Sequence, residues 1–74
     1  MDITPRISID DKIRFGRPVI KGTRVPIELI LGKLAGGMTY EEVMSEYEIT
    51  YDDILATLDY AAKTLSMEEI KAVS

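Results

Sequence analysis

Gly16-Arg17-Pro18-Val19-Ile20-Lys21-Gly22-Thr23-Arg24-Val25-Pro26 divides this 74-residue chain into an extended beginning and a helical remainder. Glycine reaches backbone conformations closed to other residues and proline fixes φ, so Gly16, Pro18, Gly22 and Pro26 specify a shape and not a slack linker. Thr23 has two uses: its hydroxyl can bond the local backbone and shape the turn, or it can meet a ligand. Arg17, Lys21 and Arg24 place three cations on that shape.

Upstream, Ile7-Ser8-Ile9 alternates apolar and polar, and Val19-Ile20 with Val25 reads as a second extended segment. Residues 1–25 are therefore a β-hairpin region. A hairpin this short is marginal alone, so it must pack on helices or pair with a second copy, for which an open edge is a template.

Downstream, the period changes. Ile27, Ile30, Leu31 and Leu34 share one helical face, Pro26 suits the first helical position, and Gly36-Gly37 closes a helix over 26–35. Thr39-Tyr40-Glu41-Glu42 carries the Thr and Glu of a capping box, followed by the stripe Tyr40, Val43, Met44 and Tyr47. Thr50-Tyr51-Asp52-Asp53 is a similar start, leading to Tyr51, Ile54, Leu55, Leu58, Ala61, Ala62 and Leu65. Ser66-Met67-Glu68-Glu69 repeats the box and predicts a separate short helix over 66–74. A short helix, a three-residue turn and a longer helix, preceded by another helix, is the layout of a helix-turn-helix. The predicted fold is mainly α, a three-helix bundle over 26–65 with a short N-terminal β-hairpin, in a single domain over 1–74.

At this length one core supplies only about 3 to 5 kcal/mol. The chain has no Cys for disulfides and no His for metal ligation, so a homodimer or a partner is the expected further source of burial. No stretch approaches the length and apolarity of a membrane span, which predicts a soluble, cytoplasmic protein with no membrane partner.

The net charge of −4 conceals a split. Residues 1–33 carry seven Lys/Arg and four Asp/Glu, whereas 34–74 carry two and nine, so the halves stand at +3 and −7. Lys12, Arg14, Arg17, Lys21 and Arg24 follow one another with no carboxylate among them, and an anionic partner is expected to meet this segment.

Lack of His and Cys also removes the commonest general acid–base group and the thiolate nucleophile. The paired carboxylates Asp10-Asp11, Glu41-Glu42, Asp52-Asp53 and Glu68-Glu69 diverge as chain neighbours, and three pairs coincide with helix starts that account for them. Gly16 and Gly22 belong to no phosphate-binding fingerprint. Neither catalysis nor a cofactor nor a metal is expected.

Ile7-Ser8-Ile9-Asp10, the Gly16–Pro26 run, Gly37-Met38-Thr39-Tyr40-Glu41-Glu42-Val43 and Ile49-Thr50-Tyr51-Asp52-Asp53-Ile54 together resemble the domain-of-unknown-function family numbered 433, over roughly residues 6–65. Its members look like antitoxins of the VapB type. The resemblance implies a homeodomain-like helical fold, a PIN-like ribonuclease toxin as partner, and binding to promoter DNA. Asp11 stands where the family often has Pro, and Glu48 stands near a common Pro before the third helix; both lie in turns.

In a helix-turn-helix the second helix of the pair meets base edges while Lys and Arg meet phosphates. Here that helix carries Asp52, Asp53 and Asp59 against Lys63, so DNA binding falls to the basic hairpin. Arg14, Arg17 and Lys21 from both copies of a dimer give a log–log salt slope of about five. The competing use of these cations is a protein surface, where an Arg fork pairs with the clustered carboxylates that the resemblance implies for a PIN-like nuclease. Arg24 is either such a contact residue or a structural tie to Asp52, Asp53 or Asp59. A stand-alone regulator and a non-catalytic dimeric adaptor are the alternatives to an antitoxin.

Overall fold

Ile7 buries its side chain while Ser8 is half-buried, and Val19 and Ile20 are both buried, which sets two short strands against the helices. In the computed structural model, which describes the backbone of residues 1–73 and the side chains of residues 1–67, Asp2–Thr4 (β1), Ile7–Ser8 (β2) and Val19–Ile20 (β3) form one antiparallel sheet in the order β1-β2-β3. Ile7 lies opposite Ile20 and Ser8 opposite Val19. The predicted hairpin is thus extended by a strand that no alternation announces, joined with an irregular register between Asp2 and Thr4.

The Gly16–Pro26 run folds back on β3 and covers its outer edge. Ile20 N–H donates to the Val25 carbonyl at 3.0 Å, and Ile27 N–H donates to the Pro18 carbonyl at 3.1 Å. Gly22, at φ +81°, occupies the third position of the turn closed by Thr23 N–H on the Ile20 carbonyl, a conformation that favours glycine. Thr23 serves the backbone: its hydroxyl donates to the Ile20 carbonyl at 2.8 Å and accepts from Val25 N–H at 3.0 Å. Pro26 stands one residue outside α1 (Ile27–Ala35), not at its first position, because its bridge to Val19 holds it extended at ψ 139°.

Helix α1 ends as the glycine pair predicts. Gly37, at φ +103°, lets its N–H reach the Leu34 carbonyl and lets Met38 N–H reach the Lys33 carbonyl, both at 3.1 Å. Helix α2 (Tyr40–Tyr47) then opens on a complete capping box: the Thr39 hydroxyl accepts from Glu42 N–H, and the Glu42 carboxylate accepts from Thr39 N–H. The backbone bond from Thr39, then the hydroxyl bond, holds the Glu42 carboxyl below its ordinary pKa.

Glu48 ends α2 in the left-handed region, at φ 54° and ψ 46°, with its N–H on the Met44 carbonyl. A side chain there costs about 1 to 2 kcal/mol relative to a right-handed conformation, whereas glycine carries no such penalty. Glu48→Gly is therefore expected to stabilise the fold by about 1 kcal/mol, raising the melting midpoint by about 5 °C in a thermal melt followed by circular dichroism.

Helix α3 runs unbroken over Tyr51–Val73. The predicted stop near Ser66, with a separate helix over 66–74, is not formed. Each further residue of an established helix adds a hydrogen bond without a new nucleation cost, which overrides the optional start signal at Ser66; Ser74 lies outside the described residues.

One cluster of Ile7, Ile20, Ile27, Ile30, Val43, Ile49 and Ile54 joins the sheet to all three helices. The stripe predicted for α3 is correct at Ile54 and Leu58 but wrong at Leu55, which is 42% exposed, and at Leu65, which is 58% exposed. Thr57 is fully buried instead, and its hydroxyl donates to the Asp53 carbonyl at 2.9 Å. The architecture is α+β: three helices with a small three-stranded sheet, where the sequence predicts a mainly α bundle with a hairpin.

Candidate partner-binding knuckle

Between β2 and β3 the chain makes two successive tight turns. Asp10 closes the first: its carbonyl accepts from Ile13 N–H and its carboxylate accepts from Lys12 N–H, both at 2.9 Å. The second is left-handed over Arg14–Gly16, with φ of 52°, 55° and 81° at Arg14, Phe15 and Gly16. Its bonds run from Gly16 N–H to the Ile13 carbonyl at 3.2 Å and from Arg17 N–H to the Arg14 carbonyl at 3.1 Å. A Cβ on Gly16 would stand 3.1 Å from an Asp11 carboxylate oxygen and would carry an unfavourable φ, so this corner requires glycine.

Phe15 occupies the tip and is 98% exposed. Below it lies a concavity lined by Asp11, Lys12, Arg14, Phe15 and Arg24. Arg14 Nε donates to the Arg24 carbonyl at 3.2 Å, which ties the knuckle to the strand-to-helix connector.

The five predicted contact cations divide into two sets. Arg17 pairs with Glu28, and Lys21 pairs with Asp2 at 2.7 Å, lowering the Asp2 carboxyl pKa through that hydrogen bond. Both pairs are exposed, so each contributes little to stability and yields readily to a stronger anion. Lys12, Arg14 and Arg24 have no carboxylate partner among the described residues, and these three cluster at the knuckle. Of the turn-shaping residues, Gly16 and Gly22 take positive φ, the Pro18 carbonyl and the Pro26 bridge hold the connector against β3, and the Thr23 hydroxyl bonds the backbone.

A tie between the hairpin region and α3 does exist, but Arg6 makes it. Its guanidinium spans Asp53 at 3.2 Å and Asp52 at 3.4 Å, while Arg24 is exposed and lines the concavity below Phe15. Asp53 is nearly buried and also accepts from Thr50 N–H at 3.0 Å, completing the box that starts α3. The first turn of α3 is therefore engaged internally.

Arg6 and Phe15 are the two residues that sequence patterns missed. Arg6 lies 46 and 47 residues from its partners, a distance only the fold closes. Phe15 left a signal in retrospect: it is the one Phe of the chain, set between Arg14 and Gly16 and belonging to no apolar stripe.

Away from the knuckle, α1 and the outer half of α3 frame an apolar groove lined by Ile27, Leu31, Tyr60, Ala61 and Leu65. No helix of the described residues is long and apolar enough to cross a membrane. Among the described residues no cluster of three or more His, Cys, Asp or Glu is placed to hold a metal ion.

These features define a small α+β domain with one loop that groups three cations, in no ion pair among the described residues, beneath a fully exposed Phe15. The chain belongs to the DUF433 family, described as proteins of unknown function, whose family profile matches residues 7–61. It is 32% identical over 56 residues to a Mycobacterium tuberculosis protein named "Putative antitoxin VapB45". The aligned part is 76% of this chain but 23% of that relative, so the chain spans about a quarter of its length. Its fold matches the crystal structure of a DUF433 member protein from Anabaena variabilis with a TM-score of 0.77, at 20% identity, covering 93% of this chain and 69% of that one. That likeness establishes the fold.

Proposed function

We propose that this protein is the antitoxin of a type II toxin–antitoxin pair, which binds and inhibits a PIN-like ribonuclease through the knuckle. The observation that carries this reading is the grouping of Lys12, Arg14 and Arg24, none of them in an ion pair among the described residues and with Asp11 the one carboxylate of the shared concavity, in a chain similar to an antitoxin. Guanidinium forks pair with carboxylates through two parallel hydrogen bonds, so cations on a stiff loop suit the acidic metal-binding cleft of such a nuclease. A homodimer, with the N-terminal hairpin region supplying its contacts, accompanies this reading.

DNA is disfavoured as the partner. A helix-turn-helix made of α2 and α3 would present to bases a first helical turn whose Asp52 and Asp53 are held by Arg6, on the more acidic half of the chain.

The test mixes the protein with the purified product of the adjacent gene and measures binding and ribonuclease activity. The wild type is expected to form a complex at micromolar concentration and silence the nuclease; Arg14→Glu with Arg24→Glu should weaken binding about 100-fold, because like charges then face each other. Absence of a complex, or inhibition untouched by the double reversal, rejects the proposal. A gel shift on promoter DNA with a salt slope near the predicted value would favour the stand-alone regulator, and dimerisation with no ligand would favour the adaptor.

A further inference from the structure

We infer that Phe15 is the anchor of the partner interface: it enters an apolar pocket on the partner protein whose rim carries carboxylates, which Lys12, Arg14 and Arg24 meet. This rests on the partner being a protein, as in the function proposed above.

The backbone at Phe15 makes this placement informative. Positive φ at two consecutive central positions of a tight turn is the territory of Asn and Gly, and here Arg14 and Phe15 occupy it. Local conformational preference opposes both residues, and solvent exposure opposes the phenyl ring. Neither opposition is compensated inside the molecule, since 98% of Phe15 faces solvent. Strain held by surrounding structure at an exposed position points to a task outside the chain.

The loop is also held before binding. Bonds from Ile13, Gly16 and Arg17 N–H to the carbonyls of Asp10, Ile13 and Arg14, with the Arg14 guanidinium on the Arg24 carbonyl, hold the backbone that carries the ring at the tip. A preorganised anchor loses little conformational entropy on docking, and an aromatic ring offers a large apolar area on only two side-chain torsions.

Charge selects among partners. Exposed rings among cations also suit single-stranded nucleic acid, where bases stack on them. However, a chain of net charge −4, with −7 over residues 34–74, repels a polyanion that extends beyond the knuckle. A compact acidic rim around an apolar pocket engages the knuckle alone and leaves the acidic helices in solvent.

Titration calorimetry with the adjacent gene's purified product is the test, using the wild type, Phe15→Ala and Phe15→Gly, with a uridine dodecamer as the nucleic-acid probe. Both substitutions should weaken binding of the protein by about 30-fold or more, the loss typical of a central anchor. Phe15→Gly should at the same time raise the melting midpoint by about 5 °C, since it removes a side chain from a left-handed position. Equal binding by Phe15→Ala, where Arg14→Glu with Arg24→Glu still weakens the complex, overturns the anchor and leaves the antitoxin reading standing. No complex with the wild type overturns both. A lowered melting midpoint for Phe15→Gly overturns the strained projection, and Phe15-dependent binding of the dodecamer overturns the protein partner.

Discussion

Ile54→Ala is expected to leave little or no cooperatively folded protein at 25 °C, whereas Leu55→Ala one residue away should shift the melting midpoint by only a few degrees. Ile54 is fully buried in the cluster that joins the sheet to the helices, and Leu55 is 42% exposed. Truncating a buried isoleucine removes its transfer free energy and leaves a cavity, together about 4 kcal/mol. A domain of this size holds about 3 to 5 kcal/mol in all, so the substitution consumes most of its stability. Urea titration of both variants followed by far-ultraviolet circular dichroism checks the contrast. A cooperative transition for Ile54→Ala close to that of the wild type would mean that α3 does not dock where the structure places it.

Asp53→Ala is expected to cost about 2 kcal/mol and to lower the melting midpoint by about 10 °C. The carboxylate performs two structural tasks at once: it accepts the backbone N–H of Thr50 and the guanidinium of Arg6. Its removal leaves the Thr50 amide without that acceptor and leaves Arg6 with the exposed Asp52 as its one remaining partner on α3. Asp52→Ala provides the comparison. It retains the box and one arm of the Arg6 pair, and its side chain is 66% exposed, so an effect below about 0.5 kcal/mol is expected. Equal melting midpoints for the two variants would show that neither the Thr50 bond nor the Arg6 bridge carries weight at Asp53.

Much of the fold was legible because the relevant signals are local. The alternation at Ile7-Ser8, the turn residues Gly22 and Thr23, the glycine pair after α1 and the boxes at Thr39 and Thr50 each act within a few residues, and each appears in the structure where the spacing places it. Strand β1 carries no such signal. Asp2-Ile3-Thr4 is extended through its pairing with β2, and a three-residue edge strand has too little pattern to distinguish it from a loop.

Within α3, periodicity located the helix but not its rotation. Tyr51, Leu55 and Leu65 fit the apolar stripe as well as Ile54 does, yet packing turns them outward and brings in Thr57, whose hydroxyl finds an acceptor on its own helix. A helix with apolar residues around more than one face has several near-equivalent phases, and contact with the other elements selects among them.

The candidate site divides in the same manner. The concentration of cations between Lys12 and Arg24 was visible in one dimension, but their sorting was not. Glu28 and Asp2 take up Arg17 and Lys21 only when α1 and β1 are in place, leaving Lys12, Arg14 and Arg24 unpaired among the described residues. The left-handed turn under Phe15 runs against local preference, so propensity reasoning had no means of finding it.

By itself, the sequence determined that three helices follow the extended segment, the boxes at Thr39 and Thr50 that start two of them, the glycine pair that ends α1, the shaped connector ahead of it and the electrostatic asymmetry. These follow from residue type and short spacing, whereas the continuation of α3 past Ser66 did not. Tertiary structure alone decided which arginine ties the sheet to α3, which face of α3 is buried, and that Phe15 stands out among unpaired cations. Those outcomes depend on groups far apart in the chain, whose meeting is set by the packing of the whole core and by no neighbouring residue.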